Sequence, residues 1–345
     1  MSVLTELLDL SDKSLYRAAA FLRSGGLVVF PTETVYGLGA NALNPEACRR
    51  IFQAKGRPQD NPLIVHLACV EDLQHYTQPL TKEQKALMER CMPGPITFIL
   101  PKSPIIPDLV TAGLPTVALR IPALPQARQL IAYAGVPVAA PSANRSGEPS
   151  PTTFEMAYEA MYGRVEAILK GSPCSVGLES SVVRMEKNLL ELLRPGYFSL
   201  EELRYLGQDL GFKVMDSSHT PIKDTPPPSP GIKYSHYKPK TPLYLFSSLE
   251  ALSSLPPTLS SPIRILYSRE ALTEKIGASP LHMKLLEGNT LEFKDLSEYA
   301  RNLFIQFYQA DREGIGTLLA WYPPPVGIGL ALRNRLIKAS EGKFV

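Results

Sequence analysis

The hydrophobic positions of the chain fall into short runs that are separated by amphipathic segments. Residues 14–26 show helical spacing and end in two glycines, and residues 27–31 form an apolar run typical of a buried strand. Asn44 followed by Pro45 predicts the start of the next helix, because asparagine caps helices and proline is accepted at their first position. Gly56 predicts the end of that helix.

Later strand candidates are continuous apolar runs rather than alternating ones. They are PLIVHLA, ITFILP, TVALRIP, VPVAAP and the pair around SSVVRM and LLELLRPG. Strands that are apolar on both sides are typical of a sheet covered on both faces, so the pattern predicts an α/β protein. Toward the C-terminus, three more apolar runs and two amphipathic segments predict a smaller α/β unit with a short parallel sheet.

A proline-rich stretch separates these two parts. Seven prolines lie from residue 221 to residue 242, and proline neither donates to a hydrogen-bond ladder nor continues a helix. The stretch is therefore predicted to be an extended linker. The predicted organisation is a first domain at 1–212, a linker at 213–241 and a C-terminal domain at 242–345.

Composition excludes several classes of protein. Hydrophobic residues make up 44% of the chain and charged residues 20%, as in ordinary globular proteins, and a net charge of +3 supplies no general basic field for nucleic acid. The four cysteines lie far apart without a CxxC pair, which fits neither a zinc site nor a disulfide framework. Because no apolar run reaches the length of a bilayer, we expect a soluble, cytoplasmic protein.

The glycines near the first strand do not form a convincing nucleotide fingerprint. Gly37, Gly39 and Ala42 match the spacing GxGxxA, but the helix-start signal follows only at Asn44. We therefore interpret these glycines as parts of a tight loop. The sequence GxxxxGK[ST] does not occur in the chain, which excludes a P-loop.

The segment KGRPQDN concentrates charge between a helix and a strand. Lys55 and Arg57 are ordinarily interpreted as solvated cations that complement the C-terminus of a helix. Two prolines stiffen the segment, however, and Asp60 or Asn61 could brace the cations. A rigid loop that holds an ammonium and a guanidinium together suits a polyphosphate ligand.

Two predicted strands carry polar side chains in apolar surroundings. His66 is interpreted either as a satisfied core histidine or as a ligand. Arg120 shares one strand face with Thr116 and Ala118, so its charge would be buried, which is costly unless an anion meets it. A structural salt bridge and a substrate carboxylate are equal alternatives for that anion.

Three strand ends carry small polar or basic side chains beside proline or glycine. They are Ser142, Asn144 and Ser150 in the first, Ser180 in the second and Arg194 in the third. Each alone is equally an ordinary turn, but such groups also line nucleotide pockets beyond strand ends. No credible covalent nucleophile with a base is recognisable. These features favour direct attack of a bound substrate on phosphorus, helped by positioning and charge neutralisation.

The chain resembles the YrdC/Sua5 family through an ordered set of motifs. They are PTETVYGLG, KGRPQDNPLIVH, MPGPITFIL, TVALRIP, APSANRSGEPSPT, GLESSVV and LRPG, followed by PSPGIKYSHYKP of the long, two-domain form. The resemblance implies a YrdC-like twisted mixed sheet flanked by helices, plus a smaller C-terminal Rossmann-like α/β domain. It also implies a nucleotidyltransferase that joins L-threonine, bicarbonate and ATP into threonylcarbamoyl-adenylate and pyrophosphate, for the t6A modification at position 37 of tRNA.

The family's functional residues can be carried over to matching positions. The resemblance implies that threonine binds near Thr34, His66, Arg120, Ser142 and Ser180. It implies that ATP binds near Lys55, Arg57, Asn61, Thr116, Asn144, Ser150 and Arg194, with Tyr234 as part of a lid. Lys55 and Arg57 would be catalytic by gripping the phosphates. Ser181 departs from an expected threonine and still supplies a hydroxyl.

The resemblance also implies particular partners and a metal ion. Mg²⁺ would accompany ATP on the pyrophosphate leaving group, without a protein ligand set, and transferase proteins would pass the product to tRNA. One alternative is a non-catalytic RNA-binding module, which the low net charge and the absence of aromatic–basic interleaving disfavour. Another is a carbamoyl-transfer enzyme, whose accompanying zinc-finger and acylphosphatase segments are not recognisable here.

Overall fold

A computed structural model describes most of the chain. The described residues are 3–218, 227–228, 237–248, 251–252, 255, 259–272 and 289–345. The chain divides into two compact units, of which the first comprises 1–146 and 150–234 and the second 147–149 and 235–345. Within the described ranges, no helix combines the length and the apolar character needed to cross a bilayer.

The first unit is built on an eleven-stranded mixed sheet. Its strands are β1 Glu6–Leu8, β2 Val28–Phe30, β3 Gly37–Asn41, β4 Ile64–His66, β5 Ile96–Pro101, β6 Thr116–Arg120, β7 Val138–Ala139, β8 Ala167–Leu169, β9 Ser181–Glu186, β10 Leu189–Arg194 and β11 Lys213–Asp216. Their order across the sheet is β1-β8-β2-β3-β7-β4-β6-β5-β9-β10-β11. Parallel and antiparallel neighbours both occur, which confirms the predicted mixed sheet.

Helices flank this sheet, and local capping explains their ends. They are α1 Asp12–Arg23, α2 Pro45–Lys55, α3 Leu73–Tyr76, α4 Lys82–Cys91, α5 Asp108–Thr111, α6 Pro125–Ala134, α7 Phe154–Met161 and α8 Leu200–Gly207. The Asn44 side chain accepts the backbone N–H groups of Glu46 and Ala47, as the sequence predicts. Gly56 ends α2 with a φ of 61°, a conformation that favours glycine.

Two sequence predictions about the first unit are wrong in detail. Gly37 and Gly39 lie in strand β3 rather than in a tight loop. A Cβ on Gly39 would lie 2.8 Å from Cε1 of Phe30 and 2.9 Å from Cγ1 of Val138, so close packing requires glycine there. In addition, β11 at Lys213–Asp216 pairs parallel with β10, although the sequence assigns these residues to the linker.

One face of the sheet contains two different apolar clusters. The helix-covered half unites buried residues of β2, β7 and β8 with residues of α1 and α6. The strand-only half consists of Ile64, Ile99, Ala118, Val182 and Leu193, which all lie in strands. β4 joins the two halves, because it pairs with β7 on one side and with β6 on the other.

The second unit contains a four-stranded parallel sheet, as predicted. Its elements are β12 Leu243–Phe246, β13 Ile263–Ser268, β14 Asn289–Phe293, α9 Leu296–Glu313, β15 Thr317–Trp321 and α10 Ile328–Ser340. The strand order is β12-β15-β13-β14, and all three pairings are parallel. Phe304, Phe307 and Trp321 are fully buried and belong to its core.

Candidate active site

The two signature segments KGR and SAN meet through one side chain. Lys55 is the last residue of α2 and is buried. Its Nζ donates to the backbone oxygens of Ser142 at 2.5 Å and Asn144 at 2.6 Å, and to Oδ1 of Asn144 at 3.3 Å. The ammonium therefore connects the end of a helix to the loop that follows β7, and its charge helps to define the conformation of that loop.

The SAN loop is also fixed to β3 and the residues before it. Ser142 forms an antiparallel bridge with Gly37, and the backbone N–H of Ala143 donates to the oxygen of Tyr36 at 2.8 Å. Within the loop, Oγ of Ser142 donates to Oδ1 of Asn144 at 2.5 Å. Ser142 and Asn144, predicted to bind different substrates, are thus direct neighbours.

Arg57 is held by the backbone of its own loop. Its Nη2 donates to the backbone oxygens of Asn61 at 3.2 Å and Pro62 at 3.3 Å. The sequence suggests the Asp60 or Asn61 side chain as a brace for the cations, and these two bonds show that main-chain carbonyls hold Arg57 as well. Oδ1 of Asn61 is buried and has no hydrogen-bond partner among the described residues, so this amide oxygen is available to a ligand.

His66 and Arg120 lie opposite each other on parallel strands. β4 and β6 pair so that these two residues are in register, and both are buried. The Phe30 ring meets the imidazole edge to face, with centroids 6.3 Å apart. Nδ1 of His66 is buried without a partner within the described part of the chain, which marks a polar atom that a ligand can satisfy.

The charge of Arg120 is met by Glu33. Nη2 of Arg120 donates to Oε1 of Glu33 at 2.6 Å, and the two side chains are only 5% and 9% exposed. A structural salt bridge, one of the two predicted alternatives for the anion at Arg120, is therefore present. It does not saturate the guanidinium, because Nε of Arg120 is buried without an acceptor among the described residues.

The imidazole of His66 is held neutral by its surroundings. Burial, and then the positive charge of Arg120, lower the pKa of His66 to about 3. At physiological pH the ring is therefore uncharged, and its pKa is too low for efficient general base catalysis near pH 7. The geometry suits a hydrogen bond to a ligand rather than proton transfer.

A second group of predicted residues lies around the start of β9. Oγ of Ser180 shares a hydrogen bond with Oγ1 of Thr97 at 2.8 Å. Arg194 donates from Nη2 to the backbone oxygen of Ser180 at 3.0 Å and to its Oγ at 3.2 Å. Nearby in sequence, Oε1 of Glu179 accepts from Oγ of Ser150 at 2.5 Å.

The remaining predicted residues are placed less directly. Thr34 is fully buried, and its Oγ1 lies 2.8 Å from Oγ1 of Thr32. Thr116 begins β6, four residues before Arg120, which separates the two by about 13 Å along the strand. Among the described residues it makes no hydrogen bond to another predicted site residue. Tyr234 lies outside the described residues.

Sequence reasoning missed three polar side chains of this region. Glu33 pairs with Arg120, Thr97 bonds to Ser180, and Glu179 bonds to Ser150. All three are buried. A polar side chain inside an apolar run, as in ITFILP, or an acid directly after a buried strand, as in PTET, is the signal that could have identified Thr97 and Glu33.

Nine of the predicted residues are buried polar side chains. They are Thr34, Lys55, Asn61, His66, Arg120, Asn144, Ser150, Ser180 and Arg194. His66, Arg120 and Arg194 lie on the same face of the sheet as the strand-only half, because directly opposed residues on neighbouring strands point to the same side. His66 is opposite Arg120, and Val182 of the cluster is opposite Thr97 and Arg194. The arrangement can bind a small anion-bearing ligand above an apolar floor.

Comparison with family models assigns both parts of the chain. A model of Sua5, YciO and YrdC proteins, described as "Telomere recombination", matches residues 20–196. A second model, described as "Threonylcarbamoyl-AMP synthase, C-terminal domain", matches residues 198–341.

Individual relatives agree along nearly the full length. The threonylcarbamoyl-AMP synthase of Pyrococcus abyssi is 40% identical and is matched over 95% of this chain and 94% of its own. The Bacillus subtilis synthase is 39% identical over 99% and 97%. The crystal structure of P. abyssi Sua5 complexed with L-threonine superimposes with a TM-score of 0.83 at 35% identity, covering 99% of each chain. The chain therefore belongs to the threonylcarbamoyl-AMP synthase family, in its long, two-domain Sua5 form.

Proposed function

We propose that this chain makes L-threonylcarbamoyl-adenylate from L-threonine, bicarbonate and ATP, with release of pyrophosphate. The observation that carries the proposal is that both family models and the named synthases match the chain over almost its entire length. The solved relative bound to L-threonine supports threonine as the amino acid. The product then serves the t6A modification of tRNA, handed on by a transferase partner.

In this proposal, threonine lies at the end of the strand-only half where His66 faces Arg120. Nε of Arg120 donates to the amino-acid carboxylate, which gives that buried donor an acceptor. The neutral imidazole of His66 offers one more hydrogen bond. Thr34, Ser142 and Ser180 contribute hydroxyl groups around the same ligand.

ATP occupies the neighbouring region between the KGR and SAN segments. Arg57 is the proposed ligand of the phosphates, and Asn61, Thr116, Asn144, Ser150 and Arg194 complete the nucleotide site. Lys55 contributes its positive charge while its bonds to Ser142 and Asn144 fix the loop between the substrates.

The chemical step requires only substrate groups and positioning. Threonine and bicarbonate first condense to N-carboxy-threonine, as the C–N bond forms and water is lost. A carbamate oxygen then attacks the α-phosphorus, a new P–O bond forms, and the bond to the β-phosphate oxygen breaks as pyrophosphate leaves. Fixed cations stabilise the charge that develops on the phosphates. Because a carbamate and a mixed anhydride both hydrolyse readily, exclusion of water is part of this proposal, and the lid role of Tyr234 stays a prediction.

Mg²⁺ enters this proposal together with ATP. The ion prefers oxygen ligands and commonly binds through substrate phosphates and water rather than through a protein cage. In the described part of the chain, His, Cys, Asp and Glu side chains form no group of three or more that could hold a metal. Bound to ATP, the ion would neutralise charge on the departing pyrophosphate.

The proposal is tested by product analysis. Purified protein is mixed with ATP, Mg²⁺, labelled bicarbonate and L-threonine, and the nucleotides are separated by chromatography. We expect a labelled adenylate that requires threonine and forms together with pyrophosphate. If ATP stays intact in every combination of substrates, the proposal is wrong for this chain.

A single substitution checks the assigned phosphate ligand. Arg57→Ala should lower adenylate formation at least about 100-fold, because fixed charges at the reacting phosphates commonly contribute that much. The matched control is Arg49→Ala on α2, the helix that precedes Arg57. The Arg49 side chain pairs with Glu46 at the surface, so this substitution should leave turnover unchanged. Normal turnover by the Arg57 variant would contradict the assignment.

The cytoplasmic location stays a prediction.

A further inference from the structure

An acidic side chain with no substrate role lies beside the proposed threonine site. Glu33 follows β2 by three residues and is buried. Its Oε1 accepts from Nη2 of Arg120 at 2.6 Å, and its Oε2 accepts from the backbone N–H of Ala123 at 2.9 Å. One carboxylate therefore holds both the guanidinium of Arg120 and the backbone that follows β6.

The bond to Glu33 leaves the Nε–H of Arg120 for another partner. A guanidinium has five N–H donors, and Glu33 occupies one that belongs to Nη2. The Nε–H is buried and finds no acceptor among the described residues. Since a buried donor without an acceptor is unfavourable, a ligand oxygen at this position removes that cost.

We propose that Glu33 is a positioning residue of the threonine subsite, which orients Arg120 so that its Nε–H meets the substrate carboxylate. This inference rests on the proposed function, because it takes threonine as the ligand of Arg120. Glu33, the acid of the PTET segment, would act in this role without touching the substrate.

The charges of the pair favour orientation over attraction. The Glu33 oxygen 2.6 Å from Nη2 offsets much of the positive charge of Arg120. Without Glu33, Arg120 would therefore attract any carboxylate more strongly than it does within the pair. A fixed guanidinium instead accepts a carboxylate in one geometry and loses little rotamer freedom on binding. Removal of Glu33 should therefore weaken the binding of threonine even though it raises the local positive charge.

The chain offers a matched carboxylate at the opposite end of β2. Glu166 accepts from Nη2 of Arg50 at 2.5 Å and from the backbone N–H of Leu27 at 2.6 Å. Leu27 precedes β2, whereas Glu33 follows it. Glu166→Gln removes the same type of bridge between an arginine and a backbone N–H, and it has no assigned role with substrates. It is the control for Glu33→Gln.

The experiment compares the wild type, Glu33→Gln and Glu166→Gln in the full-length chain. Steady-state adenylate formation is measured with threonine and ATP varied in turn, and threonine and threoninamide, which lacks the carboxylate, are titrated calorimetrically. We expect Glu33→Gln to raise the KM for threonine about tenfold to a hundredfold, since a buried arginine loses its ionic partner. The KM for ATP should stay within about twofold, and the preference for threonine over threoninamide should shrink.

Several outcomes would overturn the positioning role. One is a Glu33→Gln variant with an unchanged or lower KM for threonine. Another is an equal rise in this KM for Glu166→Gln, because the effect would then be a general loss of stability. If the wild type forms no threonine-dependent adenylate, the proposed function fails instead, and the calorimetric comparison of threonine binding still decides the role of Glu33.

A second variant separates charge from reach and serves if the glutamine variant does not fold. Glu33→Asp keeps the negative charge but is one methylene shorter, so it cannot reach Nη2 of Arg120 and the N–H of Ala123 together from the same backbone position. A raised KM for threonine at a wild-type Tm supports the proposal. A wild-type KM in this variant would mean that charge alone suffices, and positioning by Glu33 would be refuted.

Discussion

The helix-covered and strand-only halves of the first unit lie on one face of one sheet, yet they have different contents. In the first half, residues of α1 and α6 pack against β2, β7 and β8 in a cluster of apolar side chains. In the second, the cluster contains strand residues alone. His66 and Arg120 adjoin it on β4 and β6.

The difference shows why the candidate site is where it is. The cluster of the helix-covered half consists of apolar side chains alone. Where the two halves meet, His66 Nδ1 and Arg120 Nε are buried without partners among the described residues, and so is Asn61 Oδ1 just before β4. Native cores contain few such atoms, so three of them on or just before β4 and β6 indicate a ligand site rather than a second core.

The largest expected effect comes from truncation in the helix-covered half. Leu130→Ala on α6 should lower the free energy of unfolding by about 2–5 kcal/mol, because a fully buried leucine leaves a cavity. The KM values for threonine and ATP should not change. Unfolding should be followed by circular dichroism, since Trp321, the single tryptophan, lies in the second unit. A raised KM for threonine would contradict the assignment of the helix-covered half to stability rather than to substrate binding.

The next effect tests the packing of β3, which lies between β2 and β7 in the helix-covered half. Gly39→Ala should cost about 1–3 kcal/mol, because the new methyl group would overlap Phe30 and Val138. Gly37→Ala is the matched control, since a Cβ there meets Ala140 and Phe30 at 3.4 Å, close to ordinary contact. Urea unfolding monitored by circular dichroism distinguishes the two. Equal losses would contradict the packing explanation for Gly39.

The pH dependence of stability sharpens the role of burial at His66. Its folded pKa of about 3 lies below the unfolded value near 6.5, so the unfolded state binds the additional proton. The contribution of the neutral His66 ring to the free energy of unfolding is therefore fully present above about pH 6.5, and it is lost as the pH falls from 6.5 toward 3. Between pH 7 and pH 5 the wild type should lose about 2 kcal/mol more than His66→Gln, measured by urea unfolding. Equal losses would show that His66 is not buried as a neutral ring.

The smallest expected effect tests the strand-only half directly. Ile64 on β4 lies opposite Ala118 on β6. Ala118 lies between Thr116 and Arg120 on that strand. Ile64→Ala should lower kcat/KM for adenylate formation about tenfold, as removal of methylenes from a binding surface commonly does. Its loss of stability should be smaller than that of Leu130→Ala. Unchanged kinetics with a large loss of stability would make this half an ordinary core.

Local signals in the sequence predicted the elements well where the cause was local. The cap at Asn44, the proline at position 45 and the end of α2 at Gly56 all depend on neighbouring backbone groups. The apolar runs predicted the α/β class and the parallel sheet of the second unit. Family resemblance, carried by ordered motifs, was confirmed over both parts of the chain.

Predictions failed where the conformation of a residue depends on contacts with residues that are distant in the sequence. Gly37 and Gly39 were interpreted as loop glycines, but at Gly39 the ring of Phe30 and the side chain of Val138 require the absence of a Cβ in β3. Of the predicted linker, the structure describes residues 213–218, which include the strand β11, and residues 227–228 and 237–241.

By itself, the sequence determined the types of element, the division into two parts, the family and the chemical groups available for a site. Only the tertiary structure decided which of those groups meet. Glu33 and Arg120 are 87 positions apart, and Lys55 is a similar distance from the loop that it holds. Such pairs depend on the order of strands across the sheet, and that order results from packing of the whole unit rather than from any local pattern.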